Sequence, residues 1–305
     1  MLLTAVGELI AHPALKILAV PEEVHDLAAT YLRIFLLGMP FLTLYNFEAA
    51  IFRSCGDGKT PLYSLVAANL LNITLDLLSV TVFDWGITGV VSATVLSFAV
   101  NSGILFVLLC RTPQPIQLQR HKMRLNGHEM GKILHIGLPA GIQGMVFNLS
   151  NMVIQSAINS EGALAMAASA AAYVLEINTY PFIIAFGQAI TTFTSQNFGA
   201  GNLKRCRKVL GRGLTLNFLF TCVLIGLVFL VARPFLEIFG LEQEAVDLGV
   251  MRIHLIIGFY FLSTIYESLS ASMRGFGNSL TPALAMLVSI VGTRLLWLAT
   301  VYAAN

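Results

Sequence analysis

Long apolar runs separated by short charged connectors make up almost the entire chain. Nine runs stand out: Met1–Ala11, Ala28–Phe52, Leu62–Phe83, Ile87–Cys110, Ile133–Ala157, Ala165–Thr194, Leu214–Ala232, Val250–Met273 and Leu280–Tyr302. A helix needs about 20 apolar residues to cross a hydrocarbon core, so all but the short first run predict complete membrane spans. The sixth is longer than a span requires and contains Glu176 and Pro181, which predicts a tilted or kinked helix. In the fifth, Gly137-x-x-x-Gly141 is small-residue spacing suited to close helix packing, and Pro139 predicts a bend.

Connector charges give the topology. Acidic groups (Glu22, Glu23, Asp26) follow the first run, basic ones (Arg53, Lys59) the second, and Asp84 the third. The alternation continues: Arg111, Arg120, Lys122, Arg124 and Lys132, then Glu161, then five Lys and Arg between Lys204 and Arg212, then Glu242, Glu244 and Asp247, and finally Arg274. Lys and Arg near span ends stay on the cytoplasmic side, so the even-numbered connectors are inside. The fourth connector is the longest and holds Pro113 and Pro115, which predicts a cytoplasmic linker, residues 111–131, between a first lobe (1–110) and a second (132–305).

Composition agrees with this reading. The 305 residues are 56% hydrophobic and 11% charged, against about 25% charged in soluble domains. The expected fold class is an all-α polytopic membrane protein, with the lipid bilayer as its first partner. A net charge of +2 gives no reason to expect nucleic acid binding. The four cysteines and six histidines show no ligand spacing, so neither a zinc site nor a disulfide framework is expected. No Gly-x-x-x-x-Gly-Lys-Ser/Thr loop occurs, so no ATP-driven motor or other cofactor is indicated. A membrane-embedded hydrolase would need His-Glu-x-x-His or paired aspartates at one depth, and neither is present.

The chain also repeats. A shift of 221 residues, without gaps, places Pro13 on Pro234, Ile17 on Ile238, Glu23 on Glu244, Asp26 on Asp247, Tyr45 on Tyr266, Arg53 on Arg274, Gly56 on Gly277, Thr60 on Thr281 and Pro61 on Pro282. Arg-x-x-Gly-x-x-x-Thr-Pro thus recurs at the same helix-loop-helix junction. The copies lie an even number of spans apart, so they point the same way and predict two bundles related by an axis along the membrane normal. Completing the pair needs six helices in each bundle, and on that count this chain supplies nine.

The candidate chemistry is a polar stripe. Asn69, Asn72 and Asp76 recur three and four apart inside the third run and therefore share one helix face. A carboxylate at membrane depth costs about 3 kcal/mol or more unless it is paired, hydrated or protonated, which makes Asp76 a functional candidate.

The chain resembles the multidrug and toxin extrusion (MATE) transporters. The resemblance rests on Tyr45-Asn46 leading to Arg53-x-x-Gly-Asp-Gly-Lys-Thr-Pro61, on Gly137-Leu-Pro-Ala-Gly-Ile-Gln143, and on Gly187-Gln188-Ala189 running to Gln196-Asn197-Phe198-Gly199-Ala200-Gly201. It covers helices three to eleven of the family's twelve. It implies a pair of six-helix lobes exporting organic cations and other amphipathic drugs in exchange for Na+ or H+, as a monomeric multi-pass protein of a prokaryotic plasma membrane. In the branch resembling DinF, the first-lobe cation site uses an Asn and an Asp four apart on helix five, matched by Asn72 and Asp76. A helix-six hydroxyl and carbonyl are matched by Thr94 and Val90, while the family's helix-one Asp has no counterpart here. A hard cation such as Na+ wants carboxylate, amide and hydroxyl oxygens, and these residues supply them. In the second lobe the repeat puts Thr293 and Trp297 opposite Asn72 and Asp76, and the acids of the branch resembling NorM fall on Phe147 and Ser263. Cation coupling is therefore expected in the first lobe alone.

For the drug itself, the expected cleft residues are Asn46, Asn69, Asn148, Gln188, Glu176 and Glu267, with ion pairing to a nearby Arg as the competing role for the two glutamates. Two other readings stand beside drug export. One is a lipid-linked oligosaccharide flippase, which would carry more basic residues inside its helices than the Arg294 expected there. The other is an inactive truncated transporter fragment.

Overall fold

Backbone N–H and C=O groups in lipid have no water to bond, so each apolar run must satisfy its own by forming a helix. The computed structural model describes residues 22–112, 116–119, 124 and 126–302, and its regular elements are helices throughout, with no strand among the described residues. They are α1 (Glu22–Ser54), α2 (Lys59–Thr81), α3 (Gly86–Arg111), α4 (Gly127–Ser160), α5 (Ala163–Gly199), α6 (Leu203–Glu237), α7 (Gln243–Gly258), α8 (Tyr260–Gly275) and α9 (Leu280–Met286). The last rod then alternates with wide π-helical turns: Leu287–Gly292, α10 (Thr293–Trp297) and Leu298–Tyr302.

Eight spans are long and apolar enough to cross a membrane, with α7 and α8 joined as one. They coincide with the second to ninth expected runs. The first, Met1–Ala11, lies outside the described residues, as do Pro13 and Ile17 of the repeat. At most 33% of the most apolar stretch of any span is buried inside the protein, and residues such as Leu230, Ile238 and Val288 are turned outward. An apolar exterior of this kind is what a bilayer solvates.

Prolines 40, 139, 181 and 234 all lie inside continuous helices. Proline is tolerated there because neighbouring groups re-satisfy the freed carbonyls. Loop chemistry sets several helix starts. The Asn126 side chain accepts from His128 N–H at 3.0 Å at the head of α4, and Asn202 accepts from Arg205 N–H at 3.1 Å at the head of α6, each capping an otherwise orphaned donor.

The chain divides into two compact units, Met1–Arg124 and Leu125–Asn305. In the first, α3 packs against both α1 and α2, which barely meet each other. Its apolar core is Ala49, Phe52, Leu105 and Leu109, backed by Tyr45. In the second, α5, α6, α7 and α8 close around Ile183, Val228, Leu236, Val246, Ile253 and Ile257, while α4 packs mainly with the last rod.

The repeat is visible in the backbone. Displaced by 221 residues, the bounds of α1 become those of the α7–α8 span, and the start of α2 becomes the start of α9. The turn between them is the same object twice. Gly56 and Gly277 both have φ of 85° and donate to the carbonyls of Arg53 and Arg274, each at 2.9 Å. Asp57 accepts from Thr60 N–H at 3.0 Å, and Asn278 from Thr281 N–H at 3.1 Å. The copies differ in mid-span: α1 runs on through Pro40, whereas its counterpart breaks at Phe259.

Candidate functional site

α2 and α3 form an antiparallel hairpin whose register is fixed at two points. Near the turn, Gly89 lies so close to Ser79 that a Cβ on the glycine would come within 2.6 Å of the serine Cβ. Further along, Ser64 Oγ donates to Asn101 Oδ1 at 2.5 Å and lies 3.1 Å from the Asn101 carbonyl. Between these points Asn72 and Asp76 fall at the level of Val90–Thr94. The four candidates for the cation site therefore share one depth of one hairpin.

The chemistry at that depth is unfinished. Asp76 Oδ1 and Asn72 Nδ2 are both buried and without a hydrogen-bond partner, whereas native proteins pair the great majority of such atoms. Half a turn of the Asn72 amide about its last bond exchanges nitrogen for oxygen, so the same buried position can present a ligand oxygen. At that level of α3, Thr94 Oγ1 donates to the Val90 carbonyl at 3.1 Å. That bond uses the hydroxyl proton and leaves lone pairs on both oxygens. Carboxylate, amide, hydroxyl and carbonyl oxygens are the donor set of a small hard cation. Among the described residues no group of three or more His, Cys, Asp and Glu could hold a metal ion, and Asp76 is the one carboxylate among the four candidates.

The stripe of Asn69, Asn72 and Asp76 is split by burial. Asn69 is exposed, while the other two are half-buried. Of the remaining cleft candidates, Asn46 is exposed and donates to the Leu42 carbonyl at 2.9 Å, and Asn148 and Gln188 are exposed.

The two glutamates among the cleft candidates, both in the second unit, are compensated. Glu176 receives Arg252 through two nearly parallel bonds, Nε to Oε1 at 2.8 Å and Nη2 to Oε2 at 3.2 Å, and Arg252 Nη1 donates to Ser169 Oγ at 3.2 Å. Glu267 pairs with Arg274. Its carboxylate packs over Gly187, whose missing side chain leaves the room: a Cβ there would meet Glu267 Oε1 at 3.1 Å.

Sequence reasoning missed three charged groups inside spans. The expectation of Arg294 as the basic residue clearly placed within a helix is corrected by Arg252 in α7 and Arg33 in α1. The third is Glu48, 3% exposed in α1. Arg33 and Glu48 share one run and Arg252 shares another with Glu267, each run apolar enough to average out two charges, and the signal available was the charges themselves. Arg294 is engaged as well, donating to Asn151 Oδ1 at 2.7 Å and lying 5.1 Å from the centroid of the Phe147 ring.

Fold and site together define a multi-pass helical membrane protein with a duplicated span-turn-span unit and, in its first half, a carboxylate at Asp76 with an unpartnered buried oxygen. The chain belongs to the MatE family, whose sequence profile matches residues 1–78 and 139–297. It is 28% identical over 299 residues to the probable multidrug resistance protein YoeA of Bacillus subtilis, covering 96% of this chain and 65% of the relative. It is 31% identical over 288 residues to the probable multidrug resistance protein YpnP of the same organism, covering 93% of this chain and 64% of the relative. The chain thus spans somewhat under two thirds of these relatives' length. Its fold also matches the crystal structure of a MATE protein in complex with MaL6, with a TM-score of 0.88 at 19% identity, over 98% of this chain and 68% of that one. The family is one of transporters rather than enzymes, and its bacterial members place the chain in a plasma membrane as a multi-pass protein.

Proposed function

We propose that this chain belongs to an ion-coupled exporter of organic cations and amphipathic drugs, acting as a monomer by alternating access of two lobes. In this reading the coupling ion, Na+ or H+, is taken by Asp76 with Asn72, Thr94 and the Val90 carbonyl. The observation that carries it is the pair of buried, unpartnered atoms on Asp76 and Asn72, at the depth where Thr94 and Val90 add further oxygens. A ligand that binds one conformation better than another shifts the equilibrium by that difference in affinity. Binding at Asp76 neutralises its charge, so it favours the conformation that encloses it.

The second unit supports the asymmetry. Glu176 and Glu267 already have cationic partners, so neither needs an ion to remain buried. Asn46, Asn69, Asn148 and Gln188 then remain as polar contacts for a drug, and Glu176 and Glu267 contribute only if their arginines are displaced. A lipid-linked oligosaccharide flippase would need cations free to meet phosphate, whereas Arg252 and Arg294 are engaged by Glu176 and Asn151.

The test is ethidium efflux from a drug-sensitive bacterial host, measured under separate sodium and proton gradients. The chain is expressed alone and with an N-terminal extension supplying two further helices. Gradient-driven efflux lost in Asp76→Asn is the expected result. Efflux that persists in Asp76→Asn overturns the site, and efflux absent from both forms overturns the exporter reading.

A further inference from the structure

A second carboxyl is sealed in the first unit, away from Asp76. Glu48 lies on α1 beside the apolar core of Ala49, Phe52, Leu105 and Leu109, and it is 3% exposed. Its Oε2 accepts from Ser102 Oγ on α3 at 3.0 Å. Its Oε1 is buried with no partner. The side chain bonded to it is polar but uncharged: Ser102 is 2% exposed, and the next residue back, Asn101, is bonded to Ser64 of α2.

The helices packed on α1 bring no counter-charge to it. The ionisable side chains of α3 are Cys110 and Arg111, at its far end, and those of α2 are Lys59 and Tyr63 at its start and Asp76 beyond its midpoint. On α1 itself the nearest are Tyr45 and Arg53. None of them bonds Glu48, and Ser102 is the one partner its carboxyl has among the described residues. An ionised carboxylate in that position leaves a full charge sealed from water with a single hydrogen bond, whereas a carboxylic acid leaves only one orphaned polar atom. A metal ion is a poor substitute, because Na+ needs several oxygens around it and the Ser102 hydroxyl is the one oxygen group bonded to the carboxyl among the described residues.

We propose that Glu48 is a proton-binding site of the first unit, carrying its proton while α1 and α3 are packed and exchanging it when they part. It is distinct from the cation site at Asp76, and position 269 of the repeat holds a leucine, so the second unit has no twin of it. The unit then holds two ionisable sites of different kinds: a half-buried one with oxygen donors around it, and a sealed one with room only for a proton.

The test is infrared difference spectroscopy on the protein reconstituted in lipid at neutral pH, with no gradient applied. Wild type minus Glu48→Gln is expected to show the carbonyl stretch of a protonated carboxylic acid, lost in the variant and retained in Asp76→Asn. In Ser102→Ala, which keeps the carboxyl but removes its one hydrogen bond, the same band is expected to move to higher frequency. A difference spectrum showing only ionised-carboxylate stretches overturns the proposal, as does a band unmoved in Ser102→Ala. A band bleached when Na+ replaces K+ at constant pH overturns it in favour of a sodium site. Because no transport is measured, failure of the exporter reading leaves these outcomes unaffected.

Discussion

Gly56 and Gly277, 221 residues apart, share a φ of 85° and close the same turn on the same backbone bonds. A side chain in this left-handed region crowds the following carbonyl, at about 1–2 kcal/mol per residue. Gly56→Ala and Gly277→Ala are each expected to lower stability by that amount, and by similar amounts. No neighbour lies within 4 Å of either new Cβ, so backbone strain is the whole effect. Thermal unfolding in detergent checks this, and a large difference between the two variants would show that the turns are not equivalent.

Residue 57 differs from its twin in charge. Asp57 accepts from the Thr60 hydroxyl and from Thr60 N–H, and these bonds to the ionised form, the hydroxyl's above all, hold its carboxyl below the usual carboxylate range. A depressed folded pKa contributes stability that is present above the unfolded value of about 3.9 and is lost as pH falls through the folded value. Asn278 caps Thr281 with no titrating group. Asp57→Asn is therefore expected to keep the turn and flatten the acid limb of the stability profile, while Asp57→Ala costs about 1 kcal/mol at neutral pH through loss of the cap. A pH series of melting curves distinguishes the two.

The Glu176–Arg252 pair is largely enclosed, with side-chain exposures of 10% and 21%. Removing one partner of such a pair strands the other, at about 3–5 kcal/mol. Arg252→Ala is expected to be strongly destabilising, and the double change to Glu176→Met and Arg252→Met to recover most of the loss. Equal instability of the single and double variants, by denaturation or by yield of folded protein, would contradict this.

Gly89→Ala forces a methyl group into the Ser79 side chain, and overpacking of this kind costs about 1–3 kcal/mol. The clash is with the Ser79 Cβ and, at 2.9 Å, with the Trp85 Cβ, so Ser79→Gly in the same chain is expected to restore only part of the stability. The contact also fixes the hairpin register, so Gly89→Ala is expected to impair any response to Na+ or H+ more than a destabilising change in α6 does. Ion-dependent thermal shifts of the two variants provide the comparison.

The helices were legible because lipid permits little else for runs of that length, and the repeat because Arg53-x-x-Gly56 and Arg274-x-x-Gly277 are tied to one turn geometry. Asn72 and Asp76 could be picked out for a similar reason, each being a local exception to an apolar pattern, whereas Thr94 was a candidate only through the family resemblance. The partners were not legible. Nothing along the chain links Arg252 to Glu176, or Ser102 to Glu48, because these contacts depend on how helices rotate about their axes, which hydropathy leaves open. The break at Phe259 was hidden as well, since it falls where the other copy has Gly38 and Pro40 in an unbroken helix.

Two consecutive residues on α3 hold two different helices. Asn101 is bonded to Ser64 of α2 and Ser102 to Glu48 of α1, about 100° apart around the axis. This makes α3 behave like a key engaged in two wards of one lock. It cannot turn to improve its grip on one neighbour without loosening the other, so any twist of α3 reaches both flanking helices at the same moment.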